Sequence, residues 1–423
     1  MKVSDKKIRG YALKNAIAYK GKANQGSVIS ALFNEGMRKK DMKTYGKKIS
    51  EIIKEVNSMN IGKQKKEFEK LKDILSERQE REGLPDLPNV SKKGVVMRLA
   101  PSASGALHVM HAINGSFSFN YVLKYGGKMI VRIEDTNPEN TYAGADKLIT
   151  KDAEWLFKKK AHIFVQSDRM EIYYKYAKRL INSEHAYVCT CPAESFRECV
   201  KKQKACPCRK LTNKENMERW EEMLADSKGG GFKPGEAVLR FRTPDEIGGM
   251  AHKNPAMRDF PLARINLTRH PRQKSKYRVW PLMNLAVSVD DIEMKMTHII
   301  RGKDHMDNAK RQEMVFKALG KKYPWCAYLG RYHFKGMELS TTKFREGIAS
   351  GKYKRWDDLK LPTVASLKKR GYKPEAFWKM AEHIGLSQVD KVFEKSDFFK
   401  LLDAFNNSSK KNQNNKETKG GKK

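Results

Sequence analysis

Cysteine is scarce in this sequence: six residues in 423, too few for a disulfide scaffold, and four of them fall in one short segment. That usage implies a reducing, cytosolic compartment. No apolar run approaches the length needed to cross a bilayer. The opening MKVSDKKIRGY lacks the apolar stretch of a secretory signal, so a cytoplasmic protein away from membranes is expected. Acidic residues are few beside the basic ones: 49 Asp and Glu against 86 Lys and Arg, a formal charge of +37. A mean hydropathy of −0.72 puts that charge on a strongly solvated surface, while 39% apolar residues still suffice for globular cores. Such an excess on an enzyme-length chain points to a polyanionic partner, RNA or DNA foremost; general solubilisation at high intracellular salt is the plainer alternative. No GxxxxGK[ST] loop occurs, which excludes a P-loop enzyme, and no internal repeat is visible. At this length two to four domains are expected.

Residues 1–90 read as helical and highly charged. Ile49, Ile52, Ile53 and Val56 recur at helical spacing, and Phe68, Leu71 and Leu75 continue the pattern. The texture changes at Val95, where VVMRLAP is a short β-type run ended by PSASG. A helical pattern follows from Leu107 to the Gly126-Gly127 stop, and then KMIVRIED as a second strand. A strand–helix–strand unit predicts a parallel sheet with function at the strand ends, where Arg98, the turn, Glu134 and Asp135 all fall. Strand-like AVLRFRT and PLARINL come later, and sheet-plus-helix texture returns in KYRVWPLMNLAVSV and MTHIIRG. Beyond HFKGMELSTTKF the chain reads as helical, up to a lysine-rich end without apolar residues that is expected to be a disordered basic tail.

His108 and His111, at i and i+3 in a first helical turn, can face one ligand. They join the positive end of the helix dipole and its free N–H groups, a setting for phosphate, with Gly105 leaving the backbone open to a substrate. A lone HxxH on the surface carries little information; strand, PSxSG turn, HxxH and helix together carry much more. Cys189-Thr-Cys191 and Cys206-Pro-Cys208 form two CxC pairs 14 residues apart. Brought together by a loop they supply the four thiolates of a tetrahedral structural zinc site. The alternative is four ordinary reduced thiols, as Cys199 and Cys326 are read to be, unpaired and buried.

RLAPSASGALHVMHA resembles the "HIGH" segment of class I aminoacyl-tRNA synthetases of the glutamate/glutamine branch, and MIVRIEDTNPEN resembles the strand end typical of that branch. YVCTCPAESF…ACPCR, YRVWPLMNLAVSVDDIEM, THIIRGKDH and LSTTKFREGI…LPTVASLKKRGYKPEA are similar to archaeal glutamyl-tRNA synthetases, as is AYKGKANQGSVISALF near the start. The resemblance implies an α/β fold: a Rossmann-like catalytic domain in two halves, 91–185 and 276–335, around a zinc-containing acceptor-binding insertion at 186–275. An N-terminal helical domain at 1–90, a "KMSKS"-like loop with stem-contact helices at 336–405 and the tail at 406–423 complete it. It further implies ATP-dependent attachment of L-glutamate to tRNA-Glu through a glutamyl-adenylate, with Mg2+ accompanying ATP and structural Zn2+ on the four cysteines.

By this resemblance His108 and His111 stabilise the ATP phosphates, helped by Lys343 and Arg345 of the LSTTK loop, with Gly105 and Asp304 also at the nucleotide. Arg98 and Arg301 pair with substrate carboxylates, and Ser102 and Glu134 hold polar groups, Glu134 the α-ammonium. A surface or RNA-contact role is the plainer reading of the two arginines, a salt bridge to Arg98 that of Glu134, and a solvated loop charge that of Lys343 and Arg345. Three residues depart from the family pattern. Met110 replaces a glycine beneath the adenine and either narrows the site or packs against the purine. Met283 replaces a tyrosine of the amino-acid pocket, and Thr341 the central lysine of the loop. The anticodon-reading barrels of the family have no counterpart before residue 423, so tRNA is expected to be held by its acceptor arm, and a separate anticodon-binding subunit is one expectation. The rival readings are a glutamyl-queuosine-type tRNA ligase and a catalytically decayed tRNA-binding paralogue.

Overall fold

The structure, a computed structural model, describes residues 4–38, 41–75, 83–226 and 229–420, with side chains except at residues 34 and 410–420. Contacts divide the chain into two units, Met1–Arg81 and Glu82–Lys423.

The first unit holds helices α1 (Asp5–Ala18), α2 (Gln25–Asn34), α3 (Met42–Ser58) and α4 (Ile61–Glu69). Three of them start where a short polar side chain accepts a backbone N–H: Ser4, Asn24 and Asn60. The expected stripe of Ile49, Ile52, Ile53 and Val56 is buried against Ile8, Leu13 and Leu32. Phe68 and Leu71 pack at its margin. The unit ends nearer 81 than 90, because Leu87 belongs to the core of the second unit and Pro85 and Pro88 accept from Tyr121 and His298.

The second unit opens with β1 (Val95–Leu99), α5 (Val109–Tyr125), β2 (Gly127–Ile133), α6 (Ala145–Leu156) and β3 (Ala161–Val165). Next come α7 (Met170–Asn182), β4 (Ala186–Cys189), α8 (Ala193–Lys201), α9 (Asn213–Leu224), β5 (Val238–Phe241), β6 (Pro261–Ile265) and β7 (Val279–Pro281). The chain continues through α10 (Met283–Glu293), β8 (His298–Gly302), α11 (Met306–Ala318), β9 (Trp325–Leu329), β10 (Tyr332–Lys335) and α12 (Thr341–Ala349). It closes with α13 (Val364–Lys369), α14 (Pro374–Ile384), β11 (Lys391–Glu394) and α15 (Lys395–Gly420).

Strands β1, β2 and β3 pair in parallel, as do β8 and β9. Thr297 joins the two pieces, its N–H donating to Val96 O and its hydroxyl accepting from Val96 N. The spatial order is therefore β3–β2–β1–β8–β9, the doubly wound arrangement in which ligands gather at the strand ends between β1 and β8. Only glycine fits where β2 begins: a Cβ on Gly127 (φ 111°) would lie 2.0 Å from Val95 O. Helix α5 is apolar on nearly every side and lies against the sheet and α14, with Val109, Ile113, Phe117 and Phe119 buried. Each such side chain contributes about 1.5–3 kcal/mol.

Strands β4 to β7 form a separate antiparallel sheet with its own core around Trp220, Trp280 and Phe241. The pairing of β7 with β6 carries this sheet to Pro281, past the expected boundary at 275, and α7 packs on it as well. The segment expected to be a tail from 406 is helical to Gly420, and residues 421–423 lie outside the described ones. The cause is anchoring: Phe398 and Leu402 enter the core, and buried Asn406 accepts from Lys373 N at 2.8 Å. The parallel pair β10–β11 was not foreseen; four half-exposed residues on each side leave little pattern to read.

Candidate active site and cysteine cluster

The strand ends at the β1/β8 junction carry the residues expected to act. Past β1 the chain bridges to the end of β2: Ala103 N donates to Glu134 O at 3.1 Å and Glu134 N to Pro101 O at 2.9 Å. Leu107 N then donates to the buried carboxylate of Asp152, and Val109 N to Pro362 O at 2.9 Å. His108 is the N-cap of α5, and its N–H donates to His111 Nδ1 at 3.2 Å. The backbone N–H groups of Leu107, His108 and Val109 are thus all used within the protein rather than left free for phosphate. The bond also fixes a tautomer: with Nδ1 accepting, neutral His111 carries its proton on Nε2. The two rings stack, centroids 3.8 Å apart. Both imidazoles keep part of their area open, yet surrounding protein desolvates them. Burial, then the neighbouring His111, holds His108 well below the ordinary imidazole value, and burial brings His111 to about 4. At neutral pH both are uncharged.

Gly105 does not leave an open backbone. A Cβ there would lie 2.2 Å from the Trp356 ring and 2.7 Å from the Thr341 methyl, so the LSTTK segment sits directly on it. Trp356 packs with Ala106, Phe344 and Leu361 in a small cluster of its own. Met110 is 5% exposed and belongs to the main core, so its thioether packs inward beneath the turn.

Between β1, β2 and α10 lies a buried ionic network. Arg98 chelates Asp291 side-on, Nε to Oδ1 at 2.8 Å and Nη2 to Oδ2 at 3.1 Å. Arg132 joins Asp291 (2.6 Å) to Glu134 (3.0 Å), so the ion pair of Glu134 is with Arg132, not Arg98. Asp290 accepts from Arg169 (2.7 Å), Gln166 (2.9 Å) and Tyr173 (2.8 Å). Burial works against the Asp291 carboxylate, but Arg98 and Arg132 hold its pKa below the usual range. Arg301, on β8, donates from Nη1 to Gln312 Oε1 at 2.7 Å, and its buried Nε has no partner among the described residues. Arg98 near the end of β1 and Arg301 near the end of β8 lie on neighbouring strands, and Glu134 follows directly after β2. Asp304, beside His305, is largely exposed.

A cavity of about 450 Å³ is lined by Ser102, Glu134, Gln166, Trp280, Met283 and Arg345 among others, and Arg98, Arg301, His108 and His111 lie outside its lining. The segment expected to be a loop is helical from Thr341; Lys343 stays outside that lining and pairs with Glu338 at 2.6 Å, so Arg345, also on α12, is the cation of this segment at the cavity. Arg132, Asp290, Asp291 and Gln166 were missed from sequence, although a charged residue inside MIVRI and a paired Asp closing LAVSVDD are signals. His270 was missed too; fully buried and stacked on Trp280, it contacts the Asp135 carbonyl, while Asp135 accepts from Ser167.

The four cysteines do converge. Their sulfurs all lie within 4.8 Å of one another, with Cys189–Cys206 at 3.9 Å and Cys191–Cys208 at 3.7 Å. Metal–sulfur bonds of 2.3 Å in a tetrahedron require edges of about 3.8 Å, so the donor set fits a tetrahedral ion. Arg219 approaches Cys208 at 3.4 Å and the Tyr187 hydroxyl Cys206 at 3.6 Å, donors suited to thiolates. Cys199 and Cys326 are unpaired but only half-buried.

Among the described residues no helix is long and apolar enough to cross a membrane. Residues 94–408 match the family described as tRNA synthetases class I (E and Q), catalytic domain. The glutamate–tRNA ligase of Methanocaldococcus jannaschii is 39% identical over 94% of this chain and 70% of its own length. That of Methanothermobacter marburgensis is 41% identical over 90% of this chain and 67% of its own. A solved glutamate tRNA ligase from Elizabethkingia meningosepticum, in complex with its amino acid, superposes with a TM-score of 0.47 at 24% identity, over 68% of this chain and 60% of that one. With its matching catalytic domain and these relatives, the chain belongs to the class I tRNA synthetases of the E and Q group.

Proposed function

We propose that this chain activates glutamate with ATP and transfers it to tRNA-Glu. The observation that carries the reading is the placement of Arg98 near the end of β1, Arg301 near the end of the neighbouring β8 and Glu134 just after β2, close in the chain to the helix start bearing His108 and His111. Arg301 offers an unpaired guanidinium edge to the substrate's side-chain carboxylate, and Glu134 takes the α-ammonium at the cavity wall. The α-carboxylate attacks the α-phosphorus of ATP, and pyrophosphate leaves. Nε2–H of His111 and the His108 ring act as neutral donors to the phosphates, reinforced by the positive end of α5, and Arg345 lies within the cavity to receive charge from the leaving group. The 3′-terminal hydroxyl of tRNA then attacks the acyl carbon and AMP departs. Neither step needs a protein nucleophile; positioning and oriented donors suffice. Mg2+ bound to the ATP phosphates would supply charge neutralisation there, and would need no all-protein cage.

Zinc is the ion proposed for Cys189, Cys191, Cys206 and Cys208, where it joins β4 to the segment before α9 and fixes the insertion that meets the acceptor arm. The large positive charge suits phosphate contacts that position RNA without reading its bases. The test is charging of tRNA-Glu with labelled glutamate: ATP-dependent, alkali-labile label on the tRNA is expected. Label on queuosine-modified tRNA-Asp instead, or none on any tRNA, would replace this reading with one of its rivals. Met110, being in the core, no longer supports the decayed reading; Met283 at the cavity wall and Thr341 on Gly105 are what that reading retains.

A further inference from the structure

The arginines near the ends of the neighbouring strands β1 and β8, Arg98 and Arg301, differ in their partners. Arg98 is compensated by Asp291, Arg132 by Asp291 and Glu134, and Arg169 by Asp290. That set is neutral. Every protein group bonded to Arg301 is uncharged: Gln312 Oε1 accepts from its Nη1 and also from the Tyr323 hydroxyl at 3.3 Å, while Gln312 Nε2 donates to Asn284 Oδ1 at 3.4 Å. Gln312 is fully buried and Asn284 nearly so, so little water screens this shell. A neutral acceptor orients the guanidinium without cancelling its charge, and its buried Nε has no partner among the described residues.

We infer that Gln312 is a specificity-determining positioning residue: its neutral amide keeps Arg301 uncompensated, so the site binds an anionic side chain in preference to the isosteric amide. The inference rests on the glutamate reading above. A carboxylate at position 312 would satisfy Arg301 internally. The substrate carboxylate would then meet a neutral pair, and an amide side chain would lose its disadvantage. Side-chain shape distinguishes glutamate from glutamine hardly at all, so the charge of this shell decides.

The test compares wild type, Gln312→Glu, Asn284→Asp and Gln312→Met in amino-acid-dependent ATP–pyrophosphate exchange with tRNA present. Calorimetric binding of each amino acid is measured alongside. Gln312→Glu should lower the glutamate-to-glutamine ratio of kcat/KM at least about tenfold. Asn284→Asp should act in the same direction by less, and it decides the question should the first variant not fold. Gln312→Met, which removes the acceptor but adds no charge, should lower kcat/KM for glutamate while keeping the preference. An unchanged ratio in the two charged variants, or equal loss of preference in Gln312→Met, overturns the inference. A wild type that binds glutamate over glutamine but exchanges no pyrophosphate defeats the proposed function and leaves the charge rule to the binding data. Equal affinity for both amino acids defeats the rule.

Discussion

The cysteine cluster and the arginine network both concentrate charge inside the protein, and they do it in opposite ways. The cluster draws four ligands from one short stretch, Cys189 to Cys208, and its negative charge is balanced only when a cation arrives. The network draws Arg98, Arg132, Arg169, Glu134, Asp290 and Asp291 from β1, β2, the approach to α7 and α10, with one pair 193 residues apart in the chain. It balances itself. A local site that depends on an ion makes its surroundings fold conditionally, whereas a dispersed, self-compensated site is part of the fold, and its neighbour Arg301, with no ion pair among the described residues, remains for a substrate.

Removing the ion should give the largest effect. Purified protein is expected to carry about one zinc per chain, and stripping it should forfeit on the order of 10 kcal/mol of binding free energy. The small core of Tyr187, Phe196 and Met250 beside the cysteines should loosen with it. Elemental analysis with melting curves in chelator checks this, and a metal-free protein that melts as the untreated one does would break the comparison. Cutting the network comes next. Asp291→Ala leaves Arg98 and Arg132 buried without their shared partner, a loss of about 3–5 kcal/mol in denaturant titration. Because the folded pKa of Asp291 is depressed, its contribution is present above the usual carboxylate range and is lost as pH falls through the folded value.

The histidine pair should affect rate more than stability. His108→Ala and His111→Ala are each expected to slow activation roughly 10²–10³-fold with tRNA affinity nearly unchanged. Since His111 titrates at about 4 and His108 well below its usual value, the wild-type rate should show no imidazole inflection near pH 6.5. Such an inflection that disappears in either variant would contradict the neutral-donor reading. Asp152→Asn is the mildest change. Burial raises the Asp152 pKa to about 7, so the folded state holds a proton there that the unfolded chain has released. Its stabilising effect is full below the unfolded pKa and is lost as pH rises towards 7, by at most about 1.4 kcal/mol per pH unit. Difference curves between wild type and Asp152→Asn should show that slope between pH 5 and 7; identical curves would rule it out.

The same contrast explains what could be read from the chain before its structure. Ligands that come as local pairs, Cys-x-Cys twice and His-x-x-His at a strand-to-helix turn, are visible because spacing alone brings them together. Strand–helix–strand texture around Val95 to Ile133 likewise announces a parallel sheet. Arg132 and Asp291 meet only after β2 and α10 have been placed, and nothing in the spacing of either segment points to the other. Trp356 covers Gly105 for a similar reason: a glycine in a turn reads as room for a ligand until the tertiary neighbour that needs the space is known. Asn406, the first residue of the expected tail, is held by Lys373 N at the start of α14, a partner that its position in the sequence does not announce.

The most direct test of the central claim, a self-compensated ionic network beside an Arg301 that has no ion pair among the described residues, is ATP–pyrophosphate exchange by the unmodified chain across glutamate, glutamine, aspartate and norvaline with tRNA-Glu present. Exchange with glutamate alone, abolished by Arg301→Ala, is the expected result. Equal exchange with glutamine or norvaline, or glutamate exchange that survives Arg301→Ala, would contradict the account.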